Sequence, residues 1–397
     1  MQRLAQSPTD PEFVQNPYPF YDRARAAGDL FFWDDYALPC ATTHRAVTAL
    51  LKDRRLGREA PADHAPAIAP HLAPFYAVEA HSMLELEPPR HTRLRSLVLR
   101  AFTSRRIADL EPEIEHLCHR LIDRFPQGPF DLLDAYARPV PVIIICRLLG
   151  VPEERADDLL AWSNAMVTMY QARRTRADED AAIAATRAFT AFITEYVAEK
   201  RRRPADDLIT RLIAAEEAGE RLSPEELVTT CILLLNAGHE ATVHTLGNGV
   251  KTLLAHGNPP ITDLCVEEII RFDPPLHMFT RWVYEDVTLF GHPFHRGDRI
   301  ACLLAAANRD PAAWPDPARF DPARFDPTRF DPTRRGPQNT SFGAGIHFCV
   351  GAPLARLELR AALATLRARC PGLSLATPPA YADVYHFHGL DALHVTC

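Results

Sequence analysis

The chain has 397 residues, of which 47% are hydrophobic and 24% charged, an ordinary globular composition that argues against disorder. No Gly/Ser-rich linker or low-complexity stretch divides it, so the composition allows one large domain or two fused lobes, with a core large enough to enclose a cofactor. A formal net charge of -7 argues against wholesale nucleic-acid binding, although the arginines at 201–203 form either a local basic patch or a solvated helix end.

Helical spacing dominates the pattern of apolar residues along the chain. Apolar residues recur at three- and four-residue spacings, which predicts helices, in segments 93–102, 111–125, 153–171, 178–200 and 352–369. Strand patterns are few and are predicted at 30–38, at 282–290 with a turn at Gly291, and at 392–396. The sequence therefore predicts a mainly α fold with small peripheral β-sheets.

One predicted helix is unusually long. Ser223 and Glu226 form a capping-box pattern, Pro224 occupies the first turn, and the next strong stop signal is at 257–259. The helix would span roughly 50 Å. Residues 227–235 are apolar on nearly every side, so we expect the helix to cross the interior.

A pentapeptide, Phe-Asp-Pro-x-Arg, occurs three times in succession over residues 320–334. Proline every five residues forbids a continuous helix. Units this short cannot build a solenoid, so the pattern predicts a surface meander that has been duplicated.

Cysteine usage and the N-terminal sequence bear on the cellular location. The nine cysteines are scattered singly, without Cys-x-x-Cys spacing, which favours neither a disulfide framework nor a cysteine-rich zinc site. Residues 1–11 are polar, and no run of 18 apolar residues occurs. We expect no signal peptide or membrane anchor and a reducing, cytoplasmic location.

The segment with the strongest chemical signal is a Gly-rich loop, residues 342–351, that leads into the predicted helix 352–369. Cys349 lies just before the helix N-terminus, where unpaired backbone N–H groups and the helix dipole favour the thiolate that a metal binds. Gly351 allows backbone to approach the sulfur, while Gly343 and Gly345 permit a tight turn against a planar ligand.

This loop resembles the haem-binding loop of the cytochrome P450 family. The family pattern Phe-x-x-Gly-x-His/Arg-x-Cys-x-Gly is met by Phe342, Gly345, His347, Cys349 and Gly351. The resemblance implies that Cys349 is the axial ligand of haem b (iron protoporphyrin IX), whose electron-rich sulfur assists O–O cleavage.

The resemblance extends over nearly the whole chain and implies a fold and an activity. The fold would be the triangular, mainly helical P450 fold with small peripheral β-sheets, as a single domain over residues 1–397. The activity would be a monooxygenase reaction that inserts one oxygen atom from O2 into a small, mostly apolar substrate. Because no flavin or iron–sulfur motif is present, electrons would come from a separate ferredoxin and ferredoxin reductase. The alternative is a non-catalytic haem-thiolate sensor or carrier.

Further positions match other elements of the family. Glu268 and Arg271 match Glu-x-x-Arg, whose three-residue spacing places both side chains on one helix face, where the family uses them to brace the core near the haem. Buried haem propionates require cations. The resemblance assigns this role, and with it haem binding, to four side chains: His91, Arg95, Arg281 and His347.

The long helix carries Ala-Gly-His-Glu-Ala-Thr at 237–242, similar to the oxygen-side motif Ala-Gly-x-Asp/Glu-Thr. Glu240 fills the acid position, but Ala241 stands where the family has an alcohol, and Thr242 is rotated by about 100° around the helix. Proton delivery to bound dioxygen is general-acid work. Either a substrate hydroxyl or an extra ordered water replaces the missing alcohol, or Glu240 and solvent suffice.

The same helix offers a competing zinc-hydrolase interpretation through His239 and His244. That motif needs histidines four residues apart, whereas five residues place them about 140° apart around the helix. The spacing rules the zinc motif out.

Two surfaces are predicted with less specific signals. An apolar pocket wall is expected from Met278, Phe279 and segment 75–83, with the substrate class left open. A basic patch for an acidic redox partner is expected from Arg100, Arg105, Arg106 and Arg360.

Overall fold

The structure is a computed structural model that describes residues 1–171, 173–217, 222–326 and 337–397. The residues group into two compact units. The first unit comprises Met1–His64, Ile114–Ala137 and Ala241–Cys397, and the second comprises Ala65–Glu113 and Arg138–Glu240. The expectation of a single domain over residues 1–397 stays a prediction.

Helices dominate the described chain, as the sequence predicted. In chain order they are α1 (Pro11–Gln15), α2 (Tyr18–Ala26), α3 (His44–Lys52), α4 (Ala73–Glu79), α5 (Arg90–Ala101), α6 (Ser104–Asp109), α7 (Glu111–Ile122), α8 (Pro139–Leu149), α9 (Ala156–Val167), α10 (Arg176–Arg202), α11 (Leu208–Glu217), α12 (Pro224–Ala255), α13 (Asp263–Phe272), α14 (Leu304–Ala307) and α15 (Ala352–Arg369).

The strands all belong to the first unit. They are β1 (Gln2–Leu4), β2 (Leu30–Trp33), β3 (Leu38–Ala41), β4 (Leu56–Gly57), β5 (Phe130–Asp131), β6 (Met278–Val283), β7 (Val287–Leu289), β8 (His292–Phe294), β9 (Arg299–Leu303), β10 (Ser374–Leu375), β11 (Ala380–Tyr381), β12 (Leu390–Ala392) and β13 (His394–Thr396). A mixed sheet has the order β1-β2-β3-β9-β6-β4, and a smaller one has the order β10-β13-β5. The pairs β11-β12 and β7-β8 form two-stranded sheets.

The larger sheet divides the core of the first unit into two layers. Side chains alternate between the faces of a strand, so neighbouring residues of β9 enter different layers. Ile300 packs with Leu50 of α3 on one face, and Ala301 packs with Phe20 of α2 and Trp33 on the other. The second layer is rich in aromatic rings, with 4.8 Å between the centroids of Phe20 and Trp33.

The long helix α12 begins and ends where the sequence signals place it. The Ser223 amide donates to Glu226 Oε2 at 2.9 Å, and the Glu226 amide donates to Ser223 Oγ at 3.2 Å, which confirms the capping box. Gly257 and Asn258 then adopt positive φ angles of 77° and 49°, and the Asn258 amide donates to the Leu253 carbonyl at 2.7 Å. Residues up to Glu240 belong to the second unit and the remainder to the first.

Several predicted boundaries were wrong, because turns or 3-10 segments interrupt or flank the regular elements. The strand predicted at 30–38 is two strands, separated by a turn in which Ala37 has a φ of 49°. The strand predicted at 282–290 is the end of β6 followed by β7, and the helix predicted at 153–171 is regular only over Ala156–Val167. The repeat at 320–334 lies outside the described residues beyond position 326.

Helix α8 shows why periodicity missed some elements. Its eleven residues carry a Val/Ile-rich run and are buried on most sides, so no polar face marks the helical period. Across the described residues, no helix combines the length and the apolar character that crossing a membrane requires.

Candidate active site

The cysteine loop closes on itself immediately before α15. The Cys349 amide donates to the Phe342 carbonyl at 3.0 Å, and the Phe348 amide donates to the Gly345 carbonyl at 3.2 Å. Gly351 is the N-cap of α15, and a Cβ at this position would lie 3.8 Å from Cys349 Sγ. The half-buried thiol is therefore held at the positive end of an 18-residue helix.

Gly345 is the residue of this loop at which a side chain would both strain the backbone and collide with a neighbouring segment. Its φ is +72°, in the left-handed region. A Cβ would lie 2.5 Å from the Leu51 carbonyl oxygen, at the end of α3. A side chain here would push the loop away from α3 and displace Cys349.

A cavity of about 260 Å³ borders the loop within the first unit. It is lined by Leu51, Lys52, Asp53, Arg54, Leu56, Arg281, Gly345, Ile346 and His347. The Arg281 side chain on β6 is only 3% exposed, and its Nη1 donates to the Thr280 carbonyl at 2.9 Å. A cavity with several cationic side chains beside a cysteine loop suits a ligand that carries carboxylates.

The second unit holds the other two predicted propionate ligands. His91 is 2% exposed and lies in the first turn of α5, with Arg95 one turn later on the same face. The predicted helical relationship between the two is confirmed, whereas their role toward haem stays a prediction.

The oxygen-side motif lies in the middle of α12. His239 is 3% exposed, donates from Nδ1 to the Leu235 carbonyl at 2.7 Å, and has its Nε2 3.5 Å from Glu240 Oε2. Ala241 follows without a hydroxyl, and its carbonyl accepts from Thr245 Oγ1 at 2.7 Å. The side chain of Thr242, one position further, is 6% exposed.

The predicted Glu-x-x-Arg pair forms a fully buried ion pair on α13. Arg271 Nε and Nη2 donate to the two carboxylate oxygens of Glu268, both at 2.7 Å. Arg324 adds a second guanidinium, with its Nε 3.0 and 3.1 Å from the same oxygens. Sequence reasoning missed Arg324, although its place as the arginine of the first pentapeptide copy marked it as a repeated position.

A second residue that sequence reasoning missed positions Phe342. The guanidinium carbon of Arg356, on α15, lies 4.6 Å from the centre of the Phe342 ring, and Arg356 also forms an ion pair with Glu267. This contact fixes the first residue of the cysteine loop against the helix that follows it.

Comparison with known proteins agrees with this geometry. The family model described as Cytochrome P450 matches residues 62–258 and 250–370. The chain belongs to the cytochrome P450 family.

Curated relatives and solved structures cover this P450 almost end to end. It is 34% identical to "Polyketide biosynthesis cytochrome P450 PksS" of Bacillus subtilis (strain 168), over 96% of this chain and 94% of that protein. It is 39% identical to "Vitamin D(3) 25-hydroxylase" of Pseudonocardia autotrophica, over 92% and 89%. The crystal structure of P450BioI in complex with hexadec-9Z-enoic acid ligated acyl carrier protein superposes with a TM-score of 0.87 at 32% identity, covering 97% of this chain and 99% of that one.

The family membership establishes the reaction class and the cofactor. This P450 is a monooxygenase with the P450 fold, and the family cofactor is haem b. The residues of the first unit fit that group, because a half-buried thiol at a helix N-terminus supplies a thiolate and the neighbouring cationic cavity suits its carboxylates. The roles of individual residues remain predictions.

Proposed function

We propose that this P450 inserts one oxygen atom from O2 into a C–H bond of a small, mostly apolar organic molecule, and that Cys349 is the residue that would bind the haem iron. The observation that carries the proposal is the position of Cys349 at the N-terminus of α15, in a loop that Gly345 allows to lie against α3. Haem, when bound, supplies the oxidising chemistry, and the protein positions the substrate and delivers protons.

The protein residues divide the work of binding the cofactor. The backbone N–H groups at the start of α15 stabilise the Cys349 thiolate. Arg281 and His347 in the first unit, and His91 and Arg95 in the second, would neutralise the propionates. Phe342, Gly345 and Gly351 would shape the loop against the ring.

Proton delivery is the step at which this chain departs from the family pattern. Glu240 is the proposed source of protons, and Ala241 leaves the usual alcohol position without a hydroxyl. In one version of the proposal, a substrate hydroxyl or an ordered water takes the place of the missing hydroxyl. In the other version, Glu240 and solvent are sufficient for proton delivery. Thr242 is a less suitable donor, because it lies one position further around the helix.

The proposed substrate is apolar, and the proposed electron donors are a separate ferredoxin and its reductase in the cytoplasm. The names of the relatives, which refer to a polyketide pathway and to vitamin D(3), support an apolar substrate without choosing its class. Arg100 and Arg105 are exposed, as a basic docking patch requires. Arg106 Nη1 lies 3.5 Å from Asp206 Oδ1, and Arg360 Nε lies 3.2 Å from Asp263 Oδ1. Carboxylates therefore partly balance these two charges.

The first experiment is the optical spectrum of the reduced protein with carbon monoxide. A strongly red-shifted main haem band is expected from the wild type, because this band reports that a thiolate binds the iron. Cys349→Ser should lose this band, whereas Cys265→Ser, which changes a buried cysteine away from the loop, should keep it. An unshifted band from the wild type would overturn Cys349 ligation.

A second experiment separates the two versions of proton delivery. It compares product formed per reductant consumed for a hydroxylated substrate and for its deoxy analogue. If a substrate hydroxyl replaces the missing alcohol, the deoxy analogue should give several-fold less product per reductant consumed. Ala241→Thr should restore this yield. Equal coupling for both substrates in the wild type would contradict that version and favour Glu240 with solvent.

A further inference from the structure

Two cysteine thiols meet where α15 ends. Cys370 is the C-cap of α15 and is 6% exposed, whereas Cys397, which follows β13, is exposed. The Cys397 thiol lies close enough to the Cys370 thiol for the two to interact electrostatically. Their backbone positions explain the contact.

The strand register brings the two residues together. In the antiparallel pair β10-β13, Ser374 lies opposite Thr396, and their hydroxyl oxygens are 3.0 Å apart. Extending this register by one residue places Cys397 opposite Leu373, whose amide donates to the Cys370 carbonyl at 3.1 Å. Cys370 and Cys397 are therefore neighbours in space although they are distant in sequence.

The other cysteines lack this combination of contact and access. Cys40, Cys118, Cys146, Cys231, Cys265 and Cys302 are completely buried. Cys349 belongs to the active site. Among the nine cysteines, Cys397 is the exposed one, so an oxidant in solution reaches the pair through it.

We propose that Cys370 and Cys397 are a redox-active pair that forms a reversible disulfide when the protein meets a peroxide. The Cys397 sulfur attacks the peroxide, the O–O bond breaks, and a sulfenic acid and one water form from hydrogen peroxide. The Cys370 sulfur then attacks the sulfenic sulfur, which releases a second water and forms the S–S bond. Two thiols thus lose two protons and two electrons, which the peroxide takes up as it becomes two waters.

The disulfide would connect the C-terminal end of α15 to the C-terminal sheet. The N-terminal end of the same helix follows the cysteine loop. It would fix β13, which pairs with both β10 and β5. Partial burial of the Cys397 sulfur and the neighbouring Cys370 thiol raise the pKa of the Cys397 thiol to about 12, so little thiolate is present at neutral pH and oxidation should accelerate as the pH rises. A slow, reversible disulfide is compatible with a reducing compartment.

Mass spectrometry of the intact, haem-loaded protein tests the pair directly. The protein is treated with hydrogen peroxide at pH 7 or at pH 9. It is then denatured in the presence of N-ethylmaleimide and digested with trypsin. No Lys or Arg lies between 370 and 397, and Arg369 precedes the segment, so trypsin leaves both cysteines in one peptide. We expect this peptide to be about 2 Da lighter and free of maleimide after oxidation, more rapidly at pH 9, and to regain both thiols in dithiothreitol.

Two variants control for other oxidation products. Cys397→Ser, a change at an exposed residue, should abolish the mass loss and leave Cys370 to take one maleimide. Cys265→Ser should oxidise like the wild type. In the wild type, amide hydrogen exchange at Ser374 and Thr396 should slow on oxidation, because the disulfide would fix this strand pair.

Three results would overturn the proposal. The first is a wild-type peptide that still takes two maleimides after peroxide treatment. The second is a Cys397-linked dimer on a non-reducing gel in place of the light peptide. The third is sulfinic or sulfonic acid at Cys397, which would show that Cys370 does not reach the sulfenic sulfur.

Discussion

Two glutamates of the first unit are buried to the same extent but in opposite surroundings. Glu268 on α13 is 0% exposed and accepts hydrogen bonds from Arg271, from Arg324 and from the Asp321 amide at 2.9 Å. Glu358 on α15 is 1% exposed, and neither of its carboxyl oxygens has a hydrogen-bond partner in the part of the chain that the structure describes.

The comparison shows that partners, and not the residue type, decide whether a buried carboxyl carries charge. Hydrogen bonds from two guanidiniums and an amide replace those that the Glu268 carboxyl would form with water. Burial alone acts on Glu358 and raises the pKa of its carboxyl well above the ordinary value. Burial therefore favours the neutral form of Glu358, whereas Glu268 is the centre of a brace of two ion pairs.

The largest effect is expected when the brace loses a cation. Arg271→Leu removes the bidentate partner of Glu268 and should lower the free energy of unfolding by about 3–5 kcal/mol, because a buried carboxylate is left undercompensated. Urea unfolding measures the change. The matched control is Arg356→Leu, which breaks the more exposed pair with neighbouring Glu267 and should cost about 1 kcal/mol or less. Equal losses would contradict the special role of burial at Glu268.

A smaller loss is expected at the second cation of the brace. Arg324 bonds Glu268 and also donates to the carbonyls of Pro315, Asp316 and Arg319. Arg324→Lys keeps the charge but cannot reproduce this planar set of donors, so we expect a loss of roughly 2 kcal/mol in urea unfolding. Arg319→Lys, at an exposed neighbour, should change stability by under about 0.5 kcal/mol. If both variants unfold alike, charge alone explains the role of Arg324.

Glu358 should respond in the opposite direction. Glu358→Met replaces a buried acid by an apolar side chain of similar length and should raise the free energy of unfolding at pH 8 by roughly 1–3 kcal/mol. Its folded pKa is raised, so the contribution of the wild-type carboxyl is most favourable below its unfolded pKa of about 4 and is lost as the pH rises toward the folded value.

Urea unfolding at pH 5 and pH 8 checks this sign. The gain in free energy of unfolding from Glu358→Met should be larger at pH 8 than at pH 5. Glu358→Gln should remove the same pH dependence of stability while keeping a polar group. An advantage that shrinks between pH 5 and pH 8 would mean that Glu358 is ionised in the folded protein.

The smallest effect concerns a third glutamate with intermediate surroundings, in the second unit. Burial would raise the pKa of Glu226, but the Arg93 guanidinium and the Ser223 amide outweigh it and hold that pKa below its ordinary value. Ser223→Ala removes the hydroxyl that caps α12 and should cost about 1 kcal/mol in thermal or urea unfolding. Ser223→Asp, which retains a capping acceptor, should cost less, and a larger loss from Asp than from Ala would contradict the capping account.

The sequence alone determined the elements whose signals are local. Helix α15 was predicted at its observed bounds, and the capping box of α12 was read from Ser223 and Glu226, because caps and helical periods involve residues within one turn of each other. The cysteine loop was equally local. Its ten residues predicted the family, which comparison with known proteins confirmed.

Only the tertiary structure decided which distant residues share a site. No spacing in the sequence could show that Arg324 completes the ion pair of Glu268, that Leu51 backbone excludes a side chain at Gly345, or that Cys370 meets Cys397. Burial decides the state of Glu358 in the same way, because the protonation of a carboxyl depends on the neighbours that replace water. Those neighbours come from segments that the fold, and not the chain order, brings together.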